Sequence, residues 1–370
     1  MELVNLVDIC DPKQWKTISK KVISEQGSYP VYGANGKMGY YDKFNHQYPT
    51  LLIGCRGTCG SLHITDEFSY TNGNAMSLDN LKDSVDIKFL YYYLSFRGFN
   101  DVISGGVQKQ ITRENLKRVK VPLPSLEEQK AIAARLDKAD EIRQLNQQII
   151  NHYDELIQAL FIDMFGDPVK NEKGWEKKKF GELGNFKNGL NYNKVDKGYK
   201  IKVIGVGDFK NYWKIENNNK ISTIDIDSRP NNEFNLKVND LVFVRSNGNK
   251  DLVGRCIIYK NNILDEDVSF SGFCIRFRSE SNLLNPNFLI HKLQLKSFRK
   301  VVFKNGRGAN IQNINQQLLS NIKLYIPPIK LQNQFAERVE KIEAQKELAV
   351  QALQQSEDLF NSLLQQAFKK

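Results

Sequence analysis

The sequence predicts an α+β protein built as a tandem duplication, in which each of two globular domains of mixed strands and helices is followed by a long helix. Three observations predict this class: the length, an internal repeat and a regular spacing of apolar residues. The chain has 370 residues, more than a typical single domain, and its hydrophobic and aromatic fractions of 41% and 11% suffice for two cores. We expect globular domains at 1–122 and 169–325 and helices at 123–168 and 326–370. The helices should pair as an antiparallel coiled coil with pseudo-two-fold symmetry.

The repeat has a constant offset in the second part of each half. Residues of like type lie 203 positions apart there, without an insertion, as in Gly105 and Gly308, Pro124 and Pro327, Gln129 and Gln332, and Phe165 and Phe368. Upstream, residues 86–94 resemble residues 285–293 at an offset of 199, so loop lengths differ between the halves. Self-similarity of this kind indicates one structural unit that occurs twice.

Strands are predicted in both globular domains from short β-branched and aromatic runs bounded by Gly, Asn and Asp. These runs lie at residues 50–53, 61–65, 240–244, 255–259 and 273–277. Residues 85–96 and 288–298 are predicted to be helical. Each globular domain should therefore mix strands with a helix.

The two long helices are predicted from apolar residues that alternate steps of three and four, the spacing of a coiled-coil seam. The first series is Ile132, Leu136, Ala139, Ile142, Leu145, Ile149, Tyr153, Leu156, Leu160 and Met164, and the second is Phe335, Val339, Ile342, Ala349, Leu353, Leu359 and Leu363. Ser125 with Glu128 predicts an N-terminal capping box, and Gly166 predicts a C-terminal stop. We expect each helix to cover the other's seam. Packing on its own domain or on another subunit is the alternative.

Charge is distributed unevenly along the chain, whose net charge is +11. Residues 169–325 carry 28 Lys and Arg against 15 Asp and Glu, whereas residues 123–168 carry 4 against 9. A basic globular part suits a polyanionic partner such as nucleic acid. An inert basic surface would give the same balance.

Composition also bears on the compartment. No apolar run reaches the length of a membrane span and the first thirty residues show no signal peptide, so we expect no membrane association. The five cysteines, an odd and scattered set, are Cys10, Cys55, Cys59, Cys256 and Cys274. This usage predicts reduced thiols in a cytoplasm.

Motifs for catalysis, nucleotides or metals are present only in incomplete form. Residues 205–208 (GVGD) hold one short glycine pair, and residues 285–288 (NPNF) lack the second proline of an amino-methyltransferase motif. Gly36-Lys37 lacks the leading glycine and following Ser or Thr of a phosphate loop. Cys55, Cys59 and His63 lack the second ligand pair of a closed zinc site. We therefore expect no catalytic, cofactor or metal site on this chain.

Taken together, these residues resemble the specificity subunit of type I restriction–modification systems across nearly the whole chain. In the first half the resemblance rests on residues 29–36 (YPVYGANG), 39–42 (GYYD), 53–60 (IGCRGTCG), 70–72 (YTN), 108–109 (QK), 122–129 (PLPSLEEQ) and 164–168 (MFGDP). In the second half it rests on residues 174–175 (GW), 240–245 (DLVFVR) and 326–328 (IPP). A proline-rich segment followed by a coiled-coil helix, occurring twice, is its specific signal.

The resemblance implies two target-recognition domains that read the halves of a split, asymmetric site in double-stranded DNA, with the helices as a ruler. It implies a non-catalytic subunit that assembles with two methyltransferase subunits and with motor–nuclease restriction subunits. S-adenosylmethionine and adenine methylation would belong to the methyltransferases. The second domain has no counterpart of residues 29–36, so the half-sites should differ.

Candidate DNA-binding residues follow from side-chain chemistry. Arg and Lys suit guanine edges and phosphates, Asn and Gln suit adenine, and glycine-rich loops bring backbone amides near phosphate. The predicted residues are Asn35, Lys37, Arg56, Thr58, Asn72 and Lys109 in the first domain, and Lys194, Arg245, Asn247, Lys250, Arg307 and Asn310 in the second. Each loop could equally be an ordinary turn, because Asn and Gly favour turns.

One other function explains the repeat. A non-catalytic coiled-coil scaffold with two protein-binding domains would have the same layout. It would not account for the excess of basic residues in 169–325. Salt-sensitive, sequence-dependent DNA binding distinguishes the two, since phosphate contacts weaken as salt rises.

Overall fold

The structure, a computed structural model, describes residues 3–106, 108–193, 197–210, 212–261, 267–299 and 313–369. The chain forms two compact units. Unit 1 comprises Met1–Gln148 and Ala349–Lys370, and unit 2 comprises Ile149–Leu348. Each unit holds one globular domain and one end of each long helix. We call the residues of unit 1 that precede its first long helix head 1, and the residues of unit 2 between the two long helices head 2.

Head 1 mixes nine strands with three helices. The strands are β1 (Leu3–Asn5), β2 (Asp11–Gln14), β3 (Tyr29–Gly33), β4 (Gly36–Tyr41), β5 (Leu51–Gly54), β6 (Leu62–Ile64), β7 (Tyr70–Thr71), β8 (Ala75–Asp79) and β9 (Lys120–Pro122), among the described residues. The helices are α1 (Leu6–Ile9), α2 (Ile87–Arg97) and α3 (Arg113–Leu116). The long helix α4 (Leu126–Phe165) follows.

Head 2 continues the numbering. Its described strands are β10 (Glu176–Lys179), β11 (Gly184–Asn188), β12 (Tyr199–Ile204), β13 (Lys214–Ile215), β14 (Thr223–Ile226), β15 (Leu241–Val244), β16 (Cys256–Tyr259), β17 (Val268–Phe270), β18 (Cys274–Ser279) and β19 (Lys323–Ile326). The helices are α5 (Pro286–Gln294), α6 (Lys296–Arg299) and α7 (Gln316–Ser320), and the long helix α8 (Ile329–Phe368) follows.

The two heads share a sheet topology, except that the main sheet of head 2 has an additional edge strand, β13. The main sheet has the order β2-β8-β5-β6 in head 1 and β11-β18-β15-β16-β13 in head 2. A three-stranded sheet, β4-β3-β7 or β14-β12-β17, contains one antiparallel and one parallel pair in each head. The duplication predicted from the sequence thus extends to the strands whose loops differ in length.

Buried strands form the centre of each head because their residues are apolar on both faces. All four residues of β5 and all four of β15 are buried. The helix α2 begins after Asp86, whose Oδ1 accepts a hydrogen bond from the amide of Phe89 (2.8 Å). The equivalent helix α5 begins after Asn285, whose Oδ1 accepts from the amide of Asn287 (2.8 Å). These helices cover one face of the main sheet, with Leu90 and Phe288 in the two cores.

Most elements predicted from the sequence are confirmed. The five predicted strands match β5, β6, β15, β16 and β18 within two residues at each end. Gly166 ends α4 with a φ of +77°, and its amide donates to the Ile162 carbonyl (2.8 Å). The single helix predicted at 288–298 is wrong in one respect: it is two helices, α5 and α6, and the backbone leaves the helical region at Leu295 (ψ 127°). Among the described residues, no helix is both long and apolar enough to cross a membrane.

Both long helices have 40 residues, and they pair in antiparallel fashion inside each unit. In unit 1 the early part of α4 meets the late part of α8, where Leu136 and Ala139 cluster with Phe360. In unit 2 the late part of α4 meets the early part of α8, where Phe161 packs edge-on against Phe335 with ring centroids 5.5 Å apart. The predicted antiparallel coiled coil is confirmed.

The predicted seam is wrong in the middle of α4. Ile142, Leu145 and Ile149 are 48%, 48% and 42% exposed. Their neighbours occupy the seam instead. In unit 1, Arg143 lies over the Phe360 ring (4.6 Å to the centroid), and Asn146 donates to the carbonyl of Ala352 and the hydroxyl of Ser356, both at 3.3 Å.

The same error affects two later positions, Leu156 and Leu359, which are 48% and 50% exposed. At both positions the buried residue is the next one, Ile157 (7%) or Phe360 (8%). Because two neighbouring apolar residues are available at each position, apolar spacing alone does not fix the phase of the seam.

Candidate nucleic-acid interface

In head 1, three loops meet where β5 ends. The amides of Cys55 and Arg56 both donate to the carbonyl of Asn74, at 3.0 and 3.2 Å. The carbonyl of Cys55 accepts from the amide of Ile111 (3.0 Å), and Arg56 forms a β-bridge with Gln110. The end of β5 therefore holds the start of β8 and the loop before α3 in a fixed frame.

A fourth segment, the turn between β3 and β4, joins the same surface. The hydroxyl of Ser61 donates to the carbonyls of Thr58 (3.0 Å) and Ala34. The ring of His63 lies 3.3 Å from the Ala34 carbonyl. We call residues 34–37, 56–61, 74 and 108–110 loop cluster 1.

Five of the six residues predicted in the first domain lie in loop cluster 1 and are exposed: Asn35, Lys37, Arg56, Thr58 and Lys109. Lys37 pairs with Asp66 (3.6 Å), and its bond with Tyr40 raises the pKa of Lys37, so this side chain is charged at neutral pH. The backbone carbonyl of Lys109 accepts from the thiol of Cys59 (3.1 Å). This bond involves only the backbone of Lys109.

The sixth residue, Asn72, is only 3% exposed. Its Oδ1 accepts from the backbone amides of Ile18 (3.1 Å) and Gly73 (2.8 Å), and its backbone amide donates to the Tyr32 carbonyl (2.8 Å). This side chain holds the loop together from inside, so we leave it out of the proposed contact surface. Asn74, two residues later, is exposed.

Head 2 repeats the frame at the end of β15. The amides of Arg245 and Ser246 both donate to the carbonyl of Phe273, at 2.8 and 3.4 Å. The carbonyl of Arg245 accepts from the amide of Ile314 (2.9 Å), and Ser246 forms a β-bridge with Asn313. We call residues 190–193, 245–250, 272–273 and 313 loop cluster 2.

Three of the six residues predicted in the second domain lie in loop cluster 2. Arg245 is half-buried: its Nη1 is 3.5 Å from the Gly272 carbonyl, and its buried Nε has no hydrogen-bond partner among the described residues. Asn247 uses its Oδ1 to accept from the amide of Asn249 (2.7 Å), and Lys250 is exposed. Lys194, Arg307 and Asn310 lie outside the described residues.

The two loop clusters can be aligned residue by residue, because equivalent backbone hydrogen bonds occur in both. The frame equates Cys55 with Arg245, Arg56 with Ser246, Asn74 with Phe273 and Gln110 with Asn313. All four positions differ in side chain. Gln110 and Asn313 keep the constant offset of 203 residues, whereas the other three pairs lie before Gly105, where loops of unequal length interrupt the register.

Ionisable groups buried in head 2 lie outside loop cluster 2. Lys292 on α5 is 2% exposed and donates to the Tyr325 carbonyl (2.7 Å), and burial lowers its pKa to about 7. Burial, with nearby lysines, lowers the pKa of His291 to about 4. Both residues pack against aromatic rings, which suits a structural role.

The incomplete catalytic motifs have structural roles. The amide of Gly205 donates to the Asp208 carboxylate (2.8 Å), which closes a turn. Asn285 caps α5 and donates through Nδ2 to Asn333 (2.8 Å), so both ends of its amide are engaged. Within the described part of the chain, no group of three or more His, Cys, Asp and Glu side chains is arranged to hold a metal ion.

A family model described as "Type I restriction modification DNA specificity domain" matches residues 1–152 and 172–357. The chain belongs to this family. Among its curated relatives, the type I restriction enzyme StySPI specificity subunit of Salmonella potsdam is 29% identical over 269 residues, which cover 68% of this chain and 56% of the relative. The chain thus spans little more than half the length of that relative.

Other relatives extend the likeness over most of the chain. A putative type I restriction enzyme specificity subunit of Haemophilus influenzae is 22% identical over 338 residues, covering 88% of this chain and 82% of the relative. Among solved structures, the type I restriction–modification S subunit from M. genitalium has a TM-score of 0.60 at 18% identity, covering 100% of this chain and 96% of that one. At that identity, the structural likeness bears on the fold alone.

Proposed function

We propose that this member of the specificity family reads the DNA sequence for a type I restriction–modification complex. Its two heads would each read one half of a split, asymmetric site. The observation that carries the proposal is the loop cluster built twice on the same backbone frame, with different side chains at each equivalent position. A fixed frame with variable side chains is what reading two different half-sites requires.

The chemistry of the two clusters suits base edges and phosphates. In loop cluster 1, Arg56 can bind a guanine edge, and Asn74 and Gln110 can bind adenine. In loop cluster 2, the Nε of Arg245 lacks a partner among the described residues, and a buried N–H in that state is usually satisfied by a ligand, a water or an ion. The basic excess of residues 169–325 adds attraction to phosphate.

We propose further that the chain itself has no catalytic site and binds no cofactor. Methyltransferase subunits carrying S-adenosylmethionine would methylate adenine, and motor–nuclease subunits would perform restriction. Assembly with a methyltransferase subunit is supported by apolar side chains left exposed on α4 of unit 1, Ile142 and Leu145. Exposed apolar side chains grouped on one helix are typical of protein contacts. The free state of all five cysteines is compatible with a cytoplasmic location.

The test is to co-express the chain with its methyltransferase partner and map modified bases in the host DNA. We expect methylated adenines in one motif with two defined halves and a spacer of constant length. An active complex that methylates without any sequence motif would refute the proposal. Binding by the complex that ignores both DNA sequence and salt would favour the protein-binding scaffold instead.

The ruler role of the helices has its own test. Lengthening α4 and α8 by matched insertions should change the spacer of the motif and leave its two halves unchanged. Altered half-sites would contradict a role for the helices in spacing. A variant with equal insertions in an exposed loop of head 1 controls for the added length.

A further inference from the structure

Phe273 is an exposed aromatic residue at a position where the sequence pattern predicts a strand residue of the core. Its side chain is 63% exposed, whereas Cys274 next to it is fully buried. Among the described large apolar residues, it is one of the most exposed. The equivalent position in head 1 is Asn74, which is also exposed.

Close contacts at the preceding glycine restrict the backbone that carries each of the two side chains. A Cβ on Gly73 would lie 2.7 Å from the Trp15 carbonyl oxygen, and a Cβ on Gly272 would overlap the side chain of Asn191. These glycines allow the chain to pass close to a neighbouring segment. The next residue, Asn74 or Phe273, is therefore presented outward on a segment that cannot easily shift.

Local caps strengthen the same segment. The Oδ1 of Asn72 accepts from the Gly73 amide (2.8 Å), and the Oγ of Ser271 accepts from the Phe273 amide (3.3 Å). On the other side, each carbonyl receives two amides from the end of β5 or β15. Two exposed side chains of opposite chemistry thus occupy the same rigid position in the two heads.

We infer that Asn74 and Phe273 are specificity-determining residues, with Asn74 binding the hydrogen-bonding edge of an adenine in one half-site and Phe273 contacting the methyl group of a thymine in the other. Asn can make two hydrogen bonds to the N6 and N7 atoms of adenine, and an apolar side chain can pack on the C5-methyl group of thymine. This inference rests on the proposed function, because it requires the loop clusters to face DNA.

The decisive experiment combines protein and DNA changes in the complex with the methyltransferase partner. Once the motif is known, each thymine in it is replaced in turn by deoxyuridine, which lacks only the methyl group. One replacement should weaken binding by the wild-type complex about fourfold, the value of one buried methyl group. The Phe273→Ala complex should bind the thymine and deoxyuridine sites equally well.

The Asn74→Ala complex should lose discrimination at one adenine of the other half-site, by roughly five- to 150-fold. The half-site of the unmodified head serves as an internal control in each case. Val238→Ala is the matched control for Phe273→Ala, since Val238 is an exposed apolar residue (39%) just before the opposite end of β15. It should leave both half-sites unchanged.

The outcomes separate the inference from the proposed function. If the wild-type complex recognises a two-part motif but Phe273→Ala and Asn74→Ala leave every base preference intact, the inference is wrong and the proposed function stands. If Phe273→Ala weakens binding but the wild type ignores every deoxyuridine, Phe273 acts as a wedge between bases and not as a methyl reader, which also overturns the inference. If the wild type has no motif, the proposed function itself fails.

Discussion

Replacing Gln129 with methionine should destabilise unit 1, because this buried side chain joins α4 to head 1. Gln129 is 0% exposed. Its Oε1 accepts from the Asp86 amide (2.9 Å), and its Nε2 donates to the carbonyls of Ser84 (3.0 Å) and Pro124 (2.9 Å). Gln332 makes the same three bonds in unit 2, to Asn285, Leu283 and Pro327, at 2.9, 2.9 and 2.7 Å.

The magnitude follows from the three backbone groups that lose their partner. Each buried group left unsatisfied costs about 1–3 kcal/mol, and methionine preserves most of the side-chain volume, so the cavity cost is small. We expect Gln129→Met to lower the free energy of unfolding of unit 1 by at least about 3 kcal/mol. Gln332→Met should act in the same way on unit 2.

Urea denaturation of the full chain, followed by fluorescence and circular dichroism, measures the effect. Gln144→Met is the matched control: Gln144 lies on the same helix, is exposed, and its side chain donates to the carboxylate of Asp140 (2.7 Å). It should change stability by less than about 0.5 kcal/mol. A Gln129→Met variant as stable as the control would refute the reasoning that these glutamines fix each head to its helix.

Three further predictions concern other parts of the chain. Lys292→Met should change how the free energy of unfolding depends on pH. Burial lowers the pKa of Lys292 to about 7 in the folded chain, so above that pH Lys292 binds a proton in the unfolded chain but not in the folded chain. Denaturation from pH 7 to 9 should therefore show the wild type gaining stability relative to the variant, by at most about 1.4 kcal/mol per pH unit; parallel curves would contradict it. Ile142→Glu with Leu145→Glu should abolish co-purification of the methyltransferase while leaving thermal unfolding unchanged, since both side chains are exposed; retained co-purification would place the contact elsewhere. Arg56→Ala should weaken DNA binding by the complex roughly tenfold or more and relax the base preference in one half-site only. The control Arg135→Ala, on α4, should not alter the motif. An unchanged motif with Arg56→Ala would show that Arg56 does not contact DNA.

The sequence predicted the repeat and the core strands because both depend on residue type alone. Runs such as residues 240–244 are apolar between polar turns, and they form β15 in the structure. The phase of the coiled-coil seam was harder to predict. Arg143 and Asn146 occupy it through partners more than two hundred residues away in the chain, and spacing cannot reveal those partners.

The candidate site shows the same difference between features that residue type predicts and features that depend on contacts distant in sequence. Sequence reasoning placed most candidate residues in loops that are exposed in the structure, because Gly, Asn and Arg between strands mark exposed turns. It could not tell Asn72 from Asn74, since the burial of Asn72 depends on bonds to Ile18 and to the segment of Tyr32, far away in sequence. Phe273 was assigned to a strand because an apolar residue beside Cys274 predicts core, yet the strand begins one residue later.

The most direct test of the account is the map of modified bases made by the wild-type complex and by complexes with substitutions in one loop cluster at a time. The account predicts one split motif for the wild type. A substitution in loop cluster 1 should alter one half of that motif, and a substitution in loop cluster 2 should alter the other half. A single substitution that alters both halves, or an active complex with no motif, would contradict the claim that the two heads read separate half-sites.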